Sequence, residues 1–209
     1  MTQQFVETMQ QFVETIKIKD GMVQNLSYHQ ARMNRTMRHF FADASVAQLA
    51  DVLSPTPDMH FYKVRVVYDG QGVVDVQYAP YTMREIRSLK VVVDDQIDYS
   101  FKSTDRSSLN RLTAQKGDCD EIIIVKNGLV TDTSFTNIAV FDGEQWLTPK
   151  HPLLMGTKRA FLLEKHIIKE ADISVEALMK AQKVSLINAM IDWGEREIAL
   201  ENVVCTVRY

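Results

Sequence analysis

Lys102 follows alternating aromatic and small residues, Tyr99, Ser100 and Phe101. In an extended segment Tyr99 and Phe101 share one face, and Ser100 and Lys102 the other. Ser103 or Thr104 is placed to cap a helix through Asp105, Leu109 and Leu112, with Gly117 ending it. A buried hairpin is expected next: a first arm at Ile122 to Val125, a turn at Asn127-Gly128, and a second arm carrying Asp132 and Asn137. This sets an amine nucleophile across a site from a carboxylate, an arrangement suited to an aldehyde cofactor such as pyridoxal phosphate. An amine in that role must be desolvated, which disfavours the ammonium and lowers its pKa. On position alone, an exposed lysine at a strand end is the commoner case.

The elements that must position these groups read as an α+β chain rich in hairpins, without regular βαβ alternation. Phe5-Val6-Glu7-Thr8 recurs as Phe12-Val13-Glu14-Thr15, too short for a repeat architecture. The second copy continues as Ile16-Lys17-Ile18-Lys19 and reads as a strand, turned by Asp20-Gly21 into Met22 to Leu26. Met33, Met37, Phe40 and Phe41 give one apolar stripe to a helix from about Tyr28 to Ala42, capped by Ser27. Ser45 would cap a second helix over Val46 to Leu53, ended by Pro55 and Pro57. Strands are expected at His60 to Tyr68, Val73 to Tyr78 and Ile86 to Val93. Beyond the hairpin, Asp142-Gly143 turns into Trp146 to Thr148. Gly156 and Thr157 then open a helix, Ser174 caps a short one, and strands cover Val184 to Met190 and Glu197 to Val207.

Bulk properties exclude several classes. The 209 residues suit one large domain or two small ones sharing a cleft. A formal net charge of -3 gives no basic field for nucleic acid. No apolar run is long enough to span a bilayer, and the first residues lack the basic start and apolar core of a signal peptide. Cys119 and Cys205 stand far apart and outside any metal-ligand spacing, so a reducing, cytoplasmic setting is the simple reading. No metal site is expected.

Five stretches together resemble the class IV aminotransferases, the fold-type IV group of pyridoxal-phosphate enzymes. They are Lys102 with Asp105-Arg106, Asp120-Glu121 opening an apolar strand, Val130 to Ile138, Trp146 to Pro149, and Leu153 to Arg159. Glu14-Thr15-Ile16-Lys17 and Tyr28-His29-Gln30-Ala31-Arg32-Met33 look like the family's N-terminal signature. The resemblance implies a two-part architecture, with residues 1–93 as a small domain, 94–209 as the larger cofactor-binding one, and the cofactor between them. Relative to longer members, the chain is expected to lack one or two strands before Glu14-Thr15. The family also implies a homodimer acting on a small amino and carboxylate substrate.

Site residues follow from the same resemblance. Lys102 would hold pyridoxal 5'-phosphate as a Schiff base and move the substrate's proton. Asp132 would pair with the pyridine nitrogen, where the family usually has the longer glutamate. Arg32 would grip the phosphate, for which its planar fork is suited. Gly156-Thr157 at a helix start would give a second phosphate contact, and Asn188-Ala189 a further anion-binding turn. His29 is more often packed than catalytic, and Asn137 is expected to support the strand of Asp132. Substrate carboxylates call for arginines, and Arg65, Arg84, Arg87 and Arg106 are the candidates.

Two reactions share this start. Loss of an enolpyruvyl group as pyruvate is aminodeoxychorismate lyase chemistry, and reprotonation at the cofactor is that of branched-chain or D-amino acid aminotransferases. The compact chain leans to the lyase. A non-catalytic dimeric binding protein on the same fold is the third reading, kept open by Asp132 and the shortened start.

Overall fold

A computed structural model describes residues 10–206. The first Phe5 to Thr8 copy, and Val207 at the end of the last expected strand, lie outside them. Strand β1 (Phe12–Lys19) turns into β2 (Met22–Val23), followed by helices α1 (Leu26–Phe40) and α2 (Leu49–Val52) and the hairpin β3 (Phe61–Asp69) and β4 (Gly72–Pro80). Then come β5 (Leu89–Val93), α3 (Ser107–Thr113), β6 (Glu121–Lys126), β7 (Leu129–Val130), β8 (Asn137–Phe141) and β9 (Trp146–Pro149). The chain continues through α4 (Thr157–Glu164), β10 (Lys169–Ala171), α5 (Val175–Leu178), β11 (Lys183–Ile187), β12 (Glu197–Ala199) and β13 (Val203–Val204). Three sheets result, ordered β2-β1-β3-β4, β10-β9-β8-β11-β12 and β13-β5-β6-β7. No helix among the described residues is long and apolar enough to cross a membrane.

The first sheet has two unlike faces because side chains alternate along each strand. Phe12, Ile16 and Ile18 of β1, with Val64 and Val66 of β3, pack against Met33 and Met37 of α1. Their neighbours Val13, Thr15, Lys63 and Arg65 point the other way, into a cavity. Register sets Thr15 opposite Arg65 and Lys17 opposite Lys63.

Strand β6 is a continuous apolar run from Ile122 to Val125, between Glu121 and Lys126, because both its faces are covered. Ile122 and Ile124 pack with Leu109 and Leu112 of α3. Ile123 and Val125 pack with Ile138, Val184 and Leu186 of the neighbouring sheet. β5 runs parallel to β6 from Leu89 opposite Glu121 to Val93 opposite Val125. β5 ends at the expected boundary, residue 93, and its strand partners are β6 and β13.

Several elements depart from expectation. Helix α1 starts before Ser27, with Asn25 as its N-cap in the left-handed region at φ 53°. Helix α2 is a single turn rather than Val46 to Leu53. The stretch from Tyr99 to Lys102 is an irregular loop, not a strand. Tyr99 packs beside Val92 and Leu109, while Phe101 joins Phe12, His39 and Phe40. The two aromatics therefore part instead of sharing a face. The Asn127-Gly128 turn forms with both residues at positive φ, 52° and 76°, the geometry of a two-residue hairpin. Its second arm ends at Val130, and Asp132 and Asn137 bridge each other where the chain crosses to the next sheet.

Candidate active site

The loop bearing Lys102 is sewn to β1. Val13 N–H donates to the Lys102 carbonyl at 2.9 Å, and Thr104 N–H to the Gln11 carbonyl at 2.9 Å. The Tyr99 hydroxyl donates to the Ser103 carbonyl at 2.7 Å. The Lys102 amine enters the cavity and makes no hydrogen bond or ion pair with any described residue. Burial, and then the nearby Arg32 charge, bring its pKa down to about 8. A larger share of the amine is thus neutral near pH 7 than for a solvated lysine.

Asp132 sits in the crossing from β7 to β8, buried. Leu154 N–H donates to its Oδ2 at 2.8 Å, and Asn137 Nδ2 donates to its Oδ1 at 2.8 Å. Burial outweighs these bonds and raises the carboxyl to about 7. Asn137 Nδ2 also donates to the Leu154 carbonyl at 2.8 Å, so one amide ties the acid to the Leu154 backbone. Gly156 explains its own residue type: an added Cβ would lie 1.8 Å from Asn137 Oδ1.

Arg32 reaches the cavity from α1. Its Nε donates to Glu14 Oε1 at 2.8 Å and its Nη2 to Glu14 Oε2 at 2.5 Å. His29 Nδ1 meets the same Oε2 at 2.6 Å, and His29 Nε2 lies 3.4 Å from Thr157 Oγ1. Burial pushes Glu14 up, but the Arg32 charge and the hydrogen bonds from His29 and Arg32 overrule it and hold the carboxyl at about 2. Burial holds His29 below the ordinary histidine value against the pull of Glu14. Beside His29, Gly156 is the N-cap of α4 and no side chain caps the helix, so early N–H groups remain for an anion. The turn after β11 is tied by Asn188 Oδ1, which accepts from Met190 N–H at 2.9 Å and Ile191 N–H at 3.1 Å.

One cavity of about 340 Å³ gathers Lys102, Asp132, Arg32, Gly156, Thr157, Asn188, Ala189, Arg65 and Arg106. Arg106 Nη2 donates to the Ser134 carbonyl at 2.8 Å. Arg84 and Arg87 are not among its lining residues. Arg84 is engaged by the Asp120 carbonyl at 2.7 Å and the buried Glu121 at 3.0 Å. Arg87 forks onto Glu85 at 2.7 Å on the exposed surface. Residue type alone did not separate these two from Arg65 and Arg106. Lys63 and Tyr81 line the cavity but were not anticipated, nor was the role of Glu14. A signal for Glu14 was present: it is the one acid on the face that β1 otherwise fills with Phe12, Ile16 and Ile18.

The donor set fits pyridoxal phosphate. It offers an unpartnered amine, a buried carboxylate, a guanidinium with three N–H groups left after Glu14, and a helix start where only glycine clears Asn137. The match to the amino-transferase class IV family model spans residues 11–195. An uncharacterised protein of Haemophilus influenzae is 38% identical over 182 residues, covering 85% of this chain and 96% of that relative. A Schizosaccharomyces pombe protein provisionally named aminodeoxychorismate lyase is 30% identical over 149 residues, and the match spans 63% of this chain and 64% of that protein. A crystal structure from Haemophilus somnus, provisionally named 4-amino-4-deoxychorismate lyase, superposes with a TM-score of 0.81 at 37% identity, over 88% of this chain and 97% of the other. Fold and site define a pyridoxal-phosphate-dependent enzyme of fold-type IV. The chain belongs to the class IV aminotransferase family.

Proposed function

We propose that the chain binds pyridoxal 5'-phosphate on Lys102 and acts as a lyase on 4-amino-4-deoxychorismate, releasing pyruvate and leaving 4-aminobenzoate. The observation that carries the cofactor reading is the convergence of Lys102, Asp132 and Arg32 on one cavity. When bound there, the cofactor supplies an electron sink next to the substrate amine. Arg32 and the start of α4 would hold its phosphate, and Asp132 would keep the proton on its ring nitrogen. Aspartate reaches less far than glutamate, and the Asn137 and Leu154 bonds hold its carboxylate in the cavity wall.

Displaced from the cofactor by the incoming substrate amine, the Lys102 amine would take the proton from the substrate carbon that bears nitrogen. The ether C–O bond breaks, enolpyruvate departs and is protonated to pyruvate, and the ring becomes aromatic. Atoms balance without water or an oxidant. Two further cations support a substrate with carboxylates. The Arg65 side chain makes no hydrogen bond or ion pair with a described residue, and Lys63 has only the Tyr81 ring, 5.6 Å from its Nζ. The names carried by the fungal and Haemophilus somnus relatives favour the lyase. The same reading includes a homodimer in the cytoplasm, with the cofactor between a small N-terminal part and a larger C-terminal one.

Purified protein should be yellow, and borohydride should fix the cofactor on the Lys102 peptide in a mass spectrum. Aminodeoxychorismate should yield pyruvate. Glutamate formed from branched-chain or D-amino acids and 2-oxoglutarate, with no pyruvate, would replace the lyase by an aminotransferase. A colourless protein that takes up no cofactor would be the binding protein instead.

A further inference from the structure

Glu14 is a carboxylate with no exposed surface inside an apolar cluster. Replacing such a buried ionic group by well-packed apolar residues is often neutral or stabilising, so stability alone does not account for it. Its two oxygens lead to two places. One arm is the fork to Arg32 of α1, at 2.8 and 2.5 Å. The other is His29 Nδ1 at 2.6 Å, whose Nε2 faces Thr157 Oγ1 at 3.4 Å, at the head of α4. Arg32 and Thr157 both line the cavity, and α1 and α4 pack against each other, with the Tyr28 and Phe161 rings 6.1 Å apart.

The hydrogen positions follow from chemistry. An ionised Glu14 only accepts, so His29 carries its proton on Nδ1. A neutral His29 then presents a bare Nε2, and the Thr157 hydroxyl donates to it. Thr157 therefore turns lone pairs, not its proton, toward the cavity. An anion at the head of α4 must be held by backbone N–H groups, together with the three guanidinium N–H groups that Glu14 leaves over.

We propose that Glu14 and His29 are positioning residues for the anionic end of the cofactor. One buried carboxylate sets the orientation of Arg32 directly and that of the α4 head through the imidazole. This rests on the reading that the cavity takes pyridoxal phosphate with its phosphate on Arg32.

The test compares pyridoxal phosphate with pyridoxal, which lacks the phosphate, by absorbance titration of apoprotein. Wild type should bind the phosphorylated form more tightly; equal affinities would sink the underlying reading, and the proposal with it. Glu14→Gln lets the His29 proton move to Nε2 and weakens the grip on Arg32. It should lose about 10-fold in affinity for pyridoxal phosphate, the worth of one charge-assisted bond, and leave pyridoxal within about 2-fold. His29→Asn keeps a donor toward Glu14 but ends short of Thr157, and should show a smaller loss with the same selectivity. It carries the test should Glu14→Gln fail to fold. Inorganic phosphate should raise the melting temperature of wild-type apoprotein more than that of either variant. Equal losses for both ligands would mean that these residues only support the fold, and unchanged affinities would mean that they do not position the anion; either result overturns the proposal while leaving the cofactor reading intact.

Discussion

Asn137 holds Asp132 with its amide nitrogen while its amide oxygen fills the space that a side chain on Gly156 would need. The acid proposed to face the cofactor ring and the helix start proposed to face its phosphate are thereby fitted to one residue. Gly156→Ala should displace Asn137 by steric overlap, at a cost of about 1–3 kcal/mol. Because Asp132 loses a donor at the same time, cofactor affinity should fall along with stability. Thermal melts of apoprotein and absorbance titration would measure the two losses, and an unchanged titration would refute the coupling.

Lys102→Ala should remove borohydride labelling and lower turnover by at least about 10²-fold, the usual contribution of a general base. With a pKa of about 8, the amine becomes reactive as pH rises through 8 and not through 10.5. The rate at which apoprotein captures pyridoxal phosphate should follow that titration. A midpoint near the ordinary lysine value would show that the amine is solvated.

Asp132 has a folded-state pKa of about 7, against 3.8 for an unburied aspartate. A raised carboxyl contributes stability that is fully present below 3.8 and lost as pH rises through 7. The difference is on the order of 4 kcal/mol. Apoprotein should therefore lose stability between pH 4 and pH 7 more steeply than Asp132→Asn, which has no proton to give up. Denaturant melts of the two at both pH values check this, and parallel pH profiles would contradict it.

Arg65→Ala and Lys63→Ala should raise KM for a dicarboxylate substrate by about 10-fold each, with kcat less affected, since each removes a charge from the substrate wall. Arg87→Ala, at an exposed ion pair with Glu85, should change neither KM nor kcat, and stability by less than about 0.5 kcal/mol. Steady-state kinetics on the three variants would separate wall from surface. An effect of Arg87→Ala as large as that of Arg65→Ala would reassign the substrate contacts.

What was legible in the chain depended on how local the determinant was. The Asn127-Gly128 turn could be read because two adjacent residues that tolerate positive φ specify it. The stripe of Met33 and Met37 could be read because it repeats at helical spacing. The alternation of Tyr99 to Lys102 misled. Those residues have no continuous strand partner; they are held by single bonds to β1 and by separate aromatic packing, neither of which is visible in a four-residue pattern. Arg84 was offered as a substrate contact because an arginine's type does not reveal that Glu121, distant in sequence, already engages it. The pairing of Glu14 is not legible in its own strand, since its partners His29 and Arg32 come from another element.

The bonds that join Val13 to Lys102 and Thr104 to Gln11 have a bearing on how this family can be recombined. The backbone that carries the Lys102 amine is tied to a strand about ninety residues earlier. Chimeras that join the front of one relative to the back of another must therefore match backbone geometry at residues 11–13 and 102–104, or the amine will be misaimed even with every cavity side chain retained.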